Sequence, residues 1–214
     1  MPPPSGPADG DWSALFERAR AAGSGVTVED VRSALAERRG AEDPPPAPGG
    51  GDTDAAAEGP VDGAAGDRPD PGRVVADADV LAADLLVGGD SRVAMDLVRD
   101  HDALTLVAAG PLLDDAAAVV ASTMGDEGLA RDWRAAVAAL ATVVAVPAGN
   151  HPAFAAARAT GAGHVLTLDE SLTGVAAGLA VKRHVETSVK TPGAFAATVD
   201  PTKLEPAADR AVEE

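Results

Sequence analysis

The stretch Arg73-Val-Val-Ala-Asp77-Ala-Asp79-Val-Leu-Ala-Ala-Asp84-Leu-Leu decides the fold. A short apolar run ends on two carboxylates, and a small-residue segment of helical character follows. In an open α/β sheet, ligands and metals bind outside the carboxyl ends of the strands. The run therefore reads as a strand that delivers Asp77 and Asp79 to such an edge. Two further places repeat the pattern: Asp114-Asp115 falls near the start of a later helical segment, and Thr167-Leu-Asp169-Glu170 ends another apolar run. Carboxylates recurring at strand-to-helix junctions point to a divalent-metal site and to phosphodiester chemistry.

Outward from this stretch the chain alternates β and α patterns. Strands are predicted at Val74–Ala76, Leu104–Ala108, Val143–Val146, Val165–Leu168 and Thr187–Lys190. Helices are predicted at Val80–Leu86, Ser91–His101, Leu112–Thr123, Glu127–Ala141, Pro152–Thr160, Glu170–His184 and Pro192–Val199. Short apolar strands separated by helices imply a parallel sheet covered on both faces, a three-layer α/β/α domain. Right-handed crossovers then bring Asp77, Asp79 and Asp169 to one edge, with Asp115 reaching it from the helix after the second strand.

The remainder divides by composition. Residues 1–10 are rich in Pro and Gly and read as disordered. Residues 11–40 read as a short helical hairpin. Trp12, Leu15, Phe16 and Ala19 share one face of its first helix, and Val28, Val31 and Leu35 share one face of the second. Thr27 with Asp30 resembles a capping box at the second helix, which stops at Gly40. Two such helices bury too little surface to stand alone, so they dock on the main domain or on a partner. Residues 41–72 show no apolar period and read as a disordered acidic linker, 73–204 as the α/β domain and 205–214 as a tail.

The chain has 214 residues and a net charge of -17, with lysine only at Lys182, Lys190 and Lys203. This balance resembles that of proteins from salt-loving archaea, in which surface carboxylates hold water and counter-ions. Molar salt shortens the Debye length to roughly 3 Å and screens repulsion from phosphates. The acidity therefore neither demands a basic partner nor excludes a nucleic acid. Cysteine is absent, which excludes disulfides, thiolate nucleophiles and zinc–cysteine sites. No run of strongly apolar residues reaches membrane-spanning length and no signal peptide is visible, so a cytoplasmic protein without membrane contact is expected. Aromatic residues make up 2% of the chain, too few for a base-stacking platform.

Residues 73–200 resemble a PIN domain, the fold of VapC-type toxins and many RNA-processing nucleases. Val-Val-Ala-Asp77-Ala-Asp79-Val-Leu looks like the family's first-strand motif, with Asp77 at its first acid, Ala78 at the usual Thr and Asp79 at the usual Asn. Gly110-Pro-Leu-Leu-Asp114-Asp115 resembles the segment that ends in the family's glutamate. Gly161-Ala-Gly-His164-Val-Leu-Thr167-Leu-Asp169 resembles the approach to its Thr-x-Asp motif, and Val189-Lys190-Thr191-Pro192-Gly193-Ala194-Phe195 its last strand and a Pro-initiated helix. Two positions depart. Asn150 stands where active members carry a further acid, and Gly163 stands at another acidic position.

The resemblance implies hydrolysis of RNA through Mg²⁺ or Mn²⁺. Asp77, Asp115 and Asp169 would be the catalytic carboxylates, and Asp79 and Asn150 would join them as metal ligands. It implies an RNA substrate and leaves room for an antitoxin or other protein partner and for a homodimer. The alternative is a catalytically degenerate PIN-like module that binds protein or RNA, favoured by Asn150 and Gly163. A third reading is an unrelated α/β domain whose acids are only halophilic surface. Each acid also has a local role open to it. Asp77, Asp79 and Asp169 can cap helices, Asp115 can serve as a helix-start charge, and Asp114 can be a solvated surface group. His151 and His164 read as packed or surface histidines. Gly88-Gly89-Asp90-Ser91 reads as a loop and N-cap, and no phosphate-cradling glycine motif follows a strand.

Overall fold

The computed structural model describes residues 9–23, 25–42, 68–147, 151–173 and 187–204. Among these, β1 (Asp70–Ala76), β2 (Thr105–Ala109), β3 (Thr142–Val144), β4 (Ala162–Leu166) and β5 (Ser188–Lys190) form one sheet in the order β3-β2-β1-β4-β5. Every pairing is parallel. The helices are α1 (Asp9–Ala22), α2 (Val28–Glu42), α3 (Ala78–Leu86), α4 (Gly89–Asp100), α5 (Gly110–Met124), α6 (Glu127–Leu140), α7 (Pro152–Thr160), the single turn α8 (Glu170–Thr173) and α9 (Pro192–Thr198). The fold is the three-layer α/β/α arrangement expected. Helix α7 packs on β1, β2 and β4, and α5 packs on β2 with α3 and α6 against it. Among the described residues, no helix is long and apolar enough to cross a membrane.

Local chemistry accounts for these elements. Val74, Val75 and Ala76 are fully buried, as suits a central parallel strand covered on both faces. Helices α5 and α7 stop at Gly125 and Gly161, whose φ values of 64° and 61° lie in the left-handed region that favours glycine. Asp126 caps α6 by accepting from the Leu129 N–H, and Thr191 caps α9 by accepting from the Ala194 N–H.

Several boundaries move relative to the sequence reading. Strand β1 begins at Asp70 rather than inside 73–76, so the domain takes in residues read as linker. Strand β4 begins at Ala162 because Gly161 ends α7 at once. Helix α4 begins at Gly89, so Asp90 lies in its first turn rather than at its cap. Helix α1 starts at Asp9, within a stretch read as disordered, and α2 runs on to Glu42. Residues 1–8, 43–67 and 205–214, and the remainder of the helix expected over Glu170–His184, lie outside the described residues.

Gly163 has a packing reason to be glycine. A Cβ there would lie 2.6 Å from the Asp70 carbonyl oxygen and 2.8 Å from Pro71 Cα. This is where the β1–β4 register shifts, between Asp70 and Val74. The sequence position that resembles a missing acid is thus one where no side chain fits.

The hairpin docks on the helical layer beside β1 and β2. Helix α1 packs on α3 and α6, and α2 packs on α3 and α5. Trp12, Leu15, Ala19, Val31 and Leu35 are buried there. The capping box forms as expected: Asp30 accepts from the Thr27 N–H at 2.8 Å, and Thr27 Oγ1 accepts from the Asp30 N–H at 3.2 Å. Covered by the hairpin, α3 is buried from Ala78 through Leu85, which explains why its sequence is small and apolar on all sides. One charge is trapped with it. Asp84 is 1% exposed and receives hydrogen bonds from the guanidinium groups of Arg92 and Arg99. Those cations in turn face α1. The Arg92 guanidinium carbon sits 3.2 Å from the Phe16 ring centroid, and that of Arg99 sits 4.4 Å from the Trp12 ring. The Arg18 pairs to Asp126 and Asp132 lie in solvent and contribute little. Apolar burial and the aromatic–guanidinium stack therefore hold the hairpin down.

This packing sets the expected stability of three variants. Gly163→Ala should destabilise the fold by about 1–3 kcal/mol through overpacking, measured by denaturant unfolding. Asp84→Ala should cost about 3–5 kcal/mol, because it removes the buried carboxylate that Arg92 and Arg99 share and leaves Arg99 only its pair with Asp96. Asp114→Ala, which breaks an exposed pair with Arg134, should cost under about 1 kcal/mol. Equal losses from the two aspartate variants would contradict the assignment of Asp84.

Candidate metal and phosphodiester site

The chain runs outward from β1 through β2 to β3, then returns to the other side of β1 to build β4 and β5. The direction reverses between β1 and β4, and a ligand crevice in such a sheet opens at that point, outside the strand carboxyl ends. Asp77 stands there as the residue after β1. Its N–H donates to the Leu166 carbonyl of β4, and its Oδ1 accepts from the Ala78 N–H at 2.8 Å, capping α3. Its Oδ2 lies 3.3 Å from Thr167 Oγ1 and 3.5 Å from His151 Nε2.

Asp79 braces the same junction. Its Oδ1 accepts from the Val80 N–H at 2.6 Å. Its Oδ2 accepts from the Leu168 N–H at 2.9 Å and lies 3.2 Å from Thr167 Oγ1. The Thr167 hydroxyl has one proton to offer two carboxylates. Burial, and then the charge of Asp77, push the Asp79 carboxyl up to about 7. Asp79 thus ties the end of β1 to the end of β4, and both its oxygens are engaged within the protein.

Asp115 reaches the site from the inner face of α5, as expected, and is buried. Its partners were not foreseen. Arg38 Nε donates to Asp115 Oδ1 at 2.8 Å. Arg39 Nε stands 3.6 Å from Asp115 Oδ2, while Arg39 Nη2 stands 3.4 Å from Asp77 Oδ1. One guanidinium from α2 therefore bridges the two acids. Asp169 caps the turn α8 by accepting from the Ser171 N–H at 2.8 Å. Partial burial opposes its ionisation, but the Ser171 bonds, with the positive charge of Arg32 and of His151, outweigh that and hold it below its ordinary value.

The structure thus brings Asp77 together with Asp79 through Thr167, and with Asp115 through Arg39. Asp169 joins them through its backbone, whose N–H donates to Thr167 Oγ1 at 3.1 Å. Among the described residues, no three carboxylates or histidines lie close enough together to hold a metal ion as they stand. Asn150 lies outside the described residues. Asp114 is the solvated group the sequence allows, paired with Arg134. His164 packs edge-on against Phe195 at 5.4 Å, and burial followed by the Lys190 charge brings it down to about 4. Sequence reasoning treated His151 as a packed or surface histidine and passed over Arg32, Arg38 and Arg39. The available signal was a pair of adjacent arginines closing a helix in a chain with twice as many acids as bases, 34 against 17.

A family model, that of DUF7384, a family of unknown function, matches residues 68–211. The chain belongs to this family. No curated protein matches the chain, and neither does any solved structure. The DUF7384 match takes in the whole sheet and Asp77, Asp79, Asp115 and Asp169, while Arg32, Arg38 and Arg39 precede it. In this DUF7384 chain Asp77 and Asp115 therefore lie inside the matched region, and Arg38 and Arg39, which pair with them, lie outside it.

Asp79 keeps its proton to higher pH in the folded chain than in the unfolded one. An unfolded aspartate titrates near 3.9, so between about pH 4 and about pH 7 the folded chain holds a proton that the unfolded chain releases. Its stabilising contribution is complete below that window and is lost as pH rises through it. His164 acts oppositely between about 4 and 6.5, where the unfolded chain takes up the proton. The comparison that isolates Asp79 is therefore between wild type and Asp79→Asn. The stability difference should move in the variant's favour by on the order of a few kcal/mol between pH 4 and 7. A pH-independent difference in chemical denaturation would refute the buried, proton-holding role.

Proposed function

We propose that this chain is a PIN-like ribonuclease of the cytoplasm that hydrolyses RNA phosphodiester bonds with Mg²⁺ or Mn²⁺. The observation that carries this reading is the convergence of Asp77 and Asp115 on one positive group, the Arg39 guanidinium, at the β1–β4 reversal. Two carboxylates that share a cation offer the hard oxygen donors a divalent ion prefers. When bound, such an ion lowers the pKa of a water and offsets charge on the phosphate under attack.

The protein's own residues have distinct tasks in this reading. Asp77 and Asp115 would hold the ion. Thr167 and the Ala78 N–H fix the Asp77 carboxylate, and Asp79 fixes the loop that carries Thr167. Asp169, kept ionised below its ordinary range, adds negative charge at the mouth. His151 Nε2, 3.5 Å from Asp77 Oδ2, is placed to hold a proton near the reacting groups. The burial of Asp77, Asp79, Asp84 and Asp115 counts against the view that these acids are only halophilic surface.

A second reading is a catalytically silent PIN-like module that binds RNA or protein. The arginine contacts favour it, since Asp77 and Asp115 already have cationic partners. The test is cleavage of single-stranded RNA in molar KCl with Mn²⁺ by the wild-type and Arg39→Ala chains, each with and without Asp77→Asn. Cleavage that falls at least about a hundredfold with Asp77→Asn supports the nuclease. Cleavage retained in Asp77→Asn would exclude the metal assignment. RNA retained uncut by every folded chain would establish the binding module.

A further inference from the structure

We propose that helix α2 is a built-in plug, with Arg39 holding the place between Asp77 and Asp115 that a divalent cation takes when the site is active. This rests on the metal-dependent reading above and adds its regulation. Arg39 reaches both acids from one guanidinium, and Arg38 takes the remaining Asp115 oxygen. A cation and this guanidinium compete for the same charge, so binding of one excludes the other. Arg38 and Arg39 are 34% and 41% exposed, so their ion pairs are open to solvent and individually weak. They persist because α2 is held elsewhere, through Val31 and Leu35 in the core and through the α1 aromatics on Arg92 and Arg99. The plug belongs to the same chain as the site, which keeps its effective concentration high. Helix α2 packs on α3 and α5, and the described strands pair with one another, so lifting α2 uncovers Asp77 and Asp115 while the sheet pairings stay in place.

The experiment is calorimetric titration of Mn²⁺ into the full chain at fixed KCl, comparing wild type, Arg39→Ala, Arg39→Ala with Asp77→Asn, and Phe16→Ala. Phe16 lies in the half-buried α1 stack on Arg92 and touches none of the acids at issue. Arg39→Ala should bind Mn²⁺ several-fold to about tenfold more tightly than wild type, and adding Asp77→Asn should abolish the gain. Phe16→Ala should give a smaller gain in the same direction, because it loosens the hairpin at a distance. Unchanged or weaker Mn²⁺ affinity in Arg39→Ala, alongside measurable binding in wild type, would overturn the plug while leaving the metal site standing. Absence of Mn²⁺ binding in every chain, each with wild-type cooperative unfolding, would overturn the metal reading and the plug together.

Discussion

Four aspartates of the described chain, Asp77, Asp79, Asp84 and Asp115, are withdrawn from water, and each requires either a cation or a proton in compensation. The rest of the structure is arranged around meeting that requirement. Asp84 has Arg92 and Arg99. Asp115 has Arg38 and Arg39, and Asp77 shares Arg39. Asp79 has no cation among its contacts with the described residues; it accepts hydrogen bonds from backbone N–H groups and retains a proton to unusually high pH. The hairpin is part of this solution. It supplies cations to one pair of acids and aromatic faces to the cations that neutralise a third.

Arginine suits both tasks better than lysine. Its planar fork can contact two carboxylates from one group, as Arg39 does, and its face can lie on a ring while its edge binds an acid. Arg92 and Arg99 do the latter between Asp84 and the α1 aromatics. In a chain of net charge -17 the positive groups are scarce, and several of them are committed at the joint between hairpin and domain. Exposed pairs such as Arg134 with Asp114 are peripheral by comparison.

The sheet was legible because its strands are short apolar runs and its helices carry clear stops, such as Gly125 and Gly161. The positions of Asp77 and Asp169 at the strand ends were legible for the same reason, since parallel topology dictates which ends share an edge. The contacts of Arg38 and Arg39 were not. They join residues 77 and 38 positions apart, and local periodicity carries no information about such pairings. Asp84 was read only as part of an apolar helix, because nothing local reveals that a second helical layer covers it. Gly163 looked like a lost acid until the β1–β4 irregularity showed that a backbone carbonyl occupies the space.

The position of the hairpin in the sequence also bears on synthesis. Chains are made from the amino end, and elements assemble as they emerge. Arg38 and Arg39 are therefore synthesised before Asp77, before Asp115, and well before Thr167 and Asp169 complete the edge, although their helix gains its apolar support only when α3 and α5 follow. Each acid emerges with its counter-charge already present on the nascent polypeptide. The polypeptide thus carries the positive groups of this joint before it carries the carboxylates that would otherwise be buried without them.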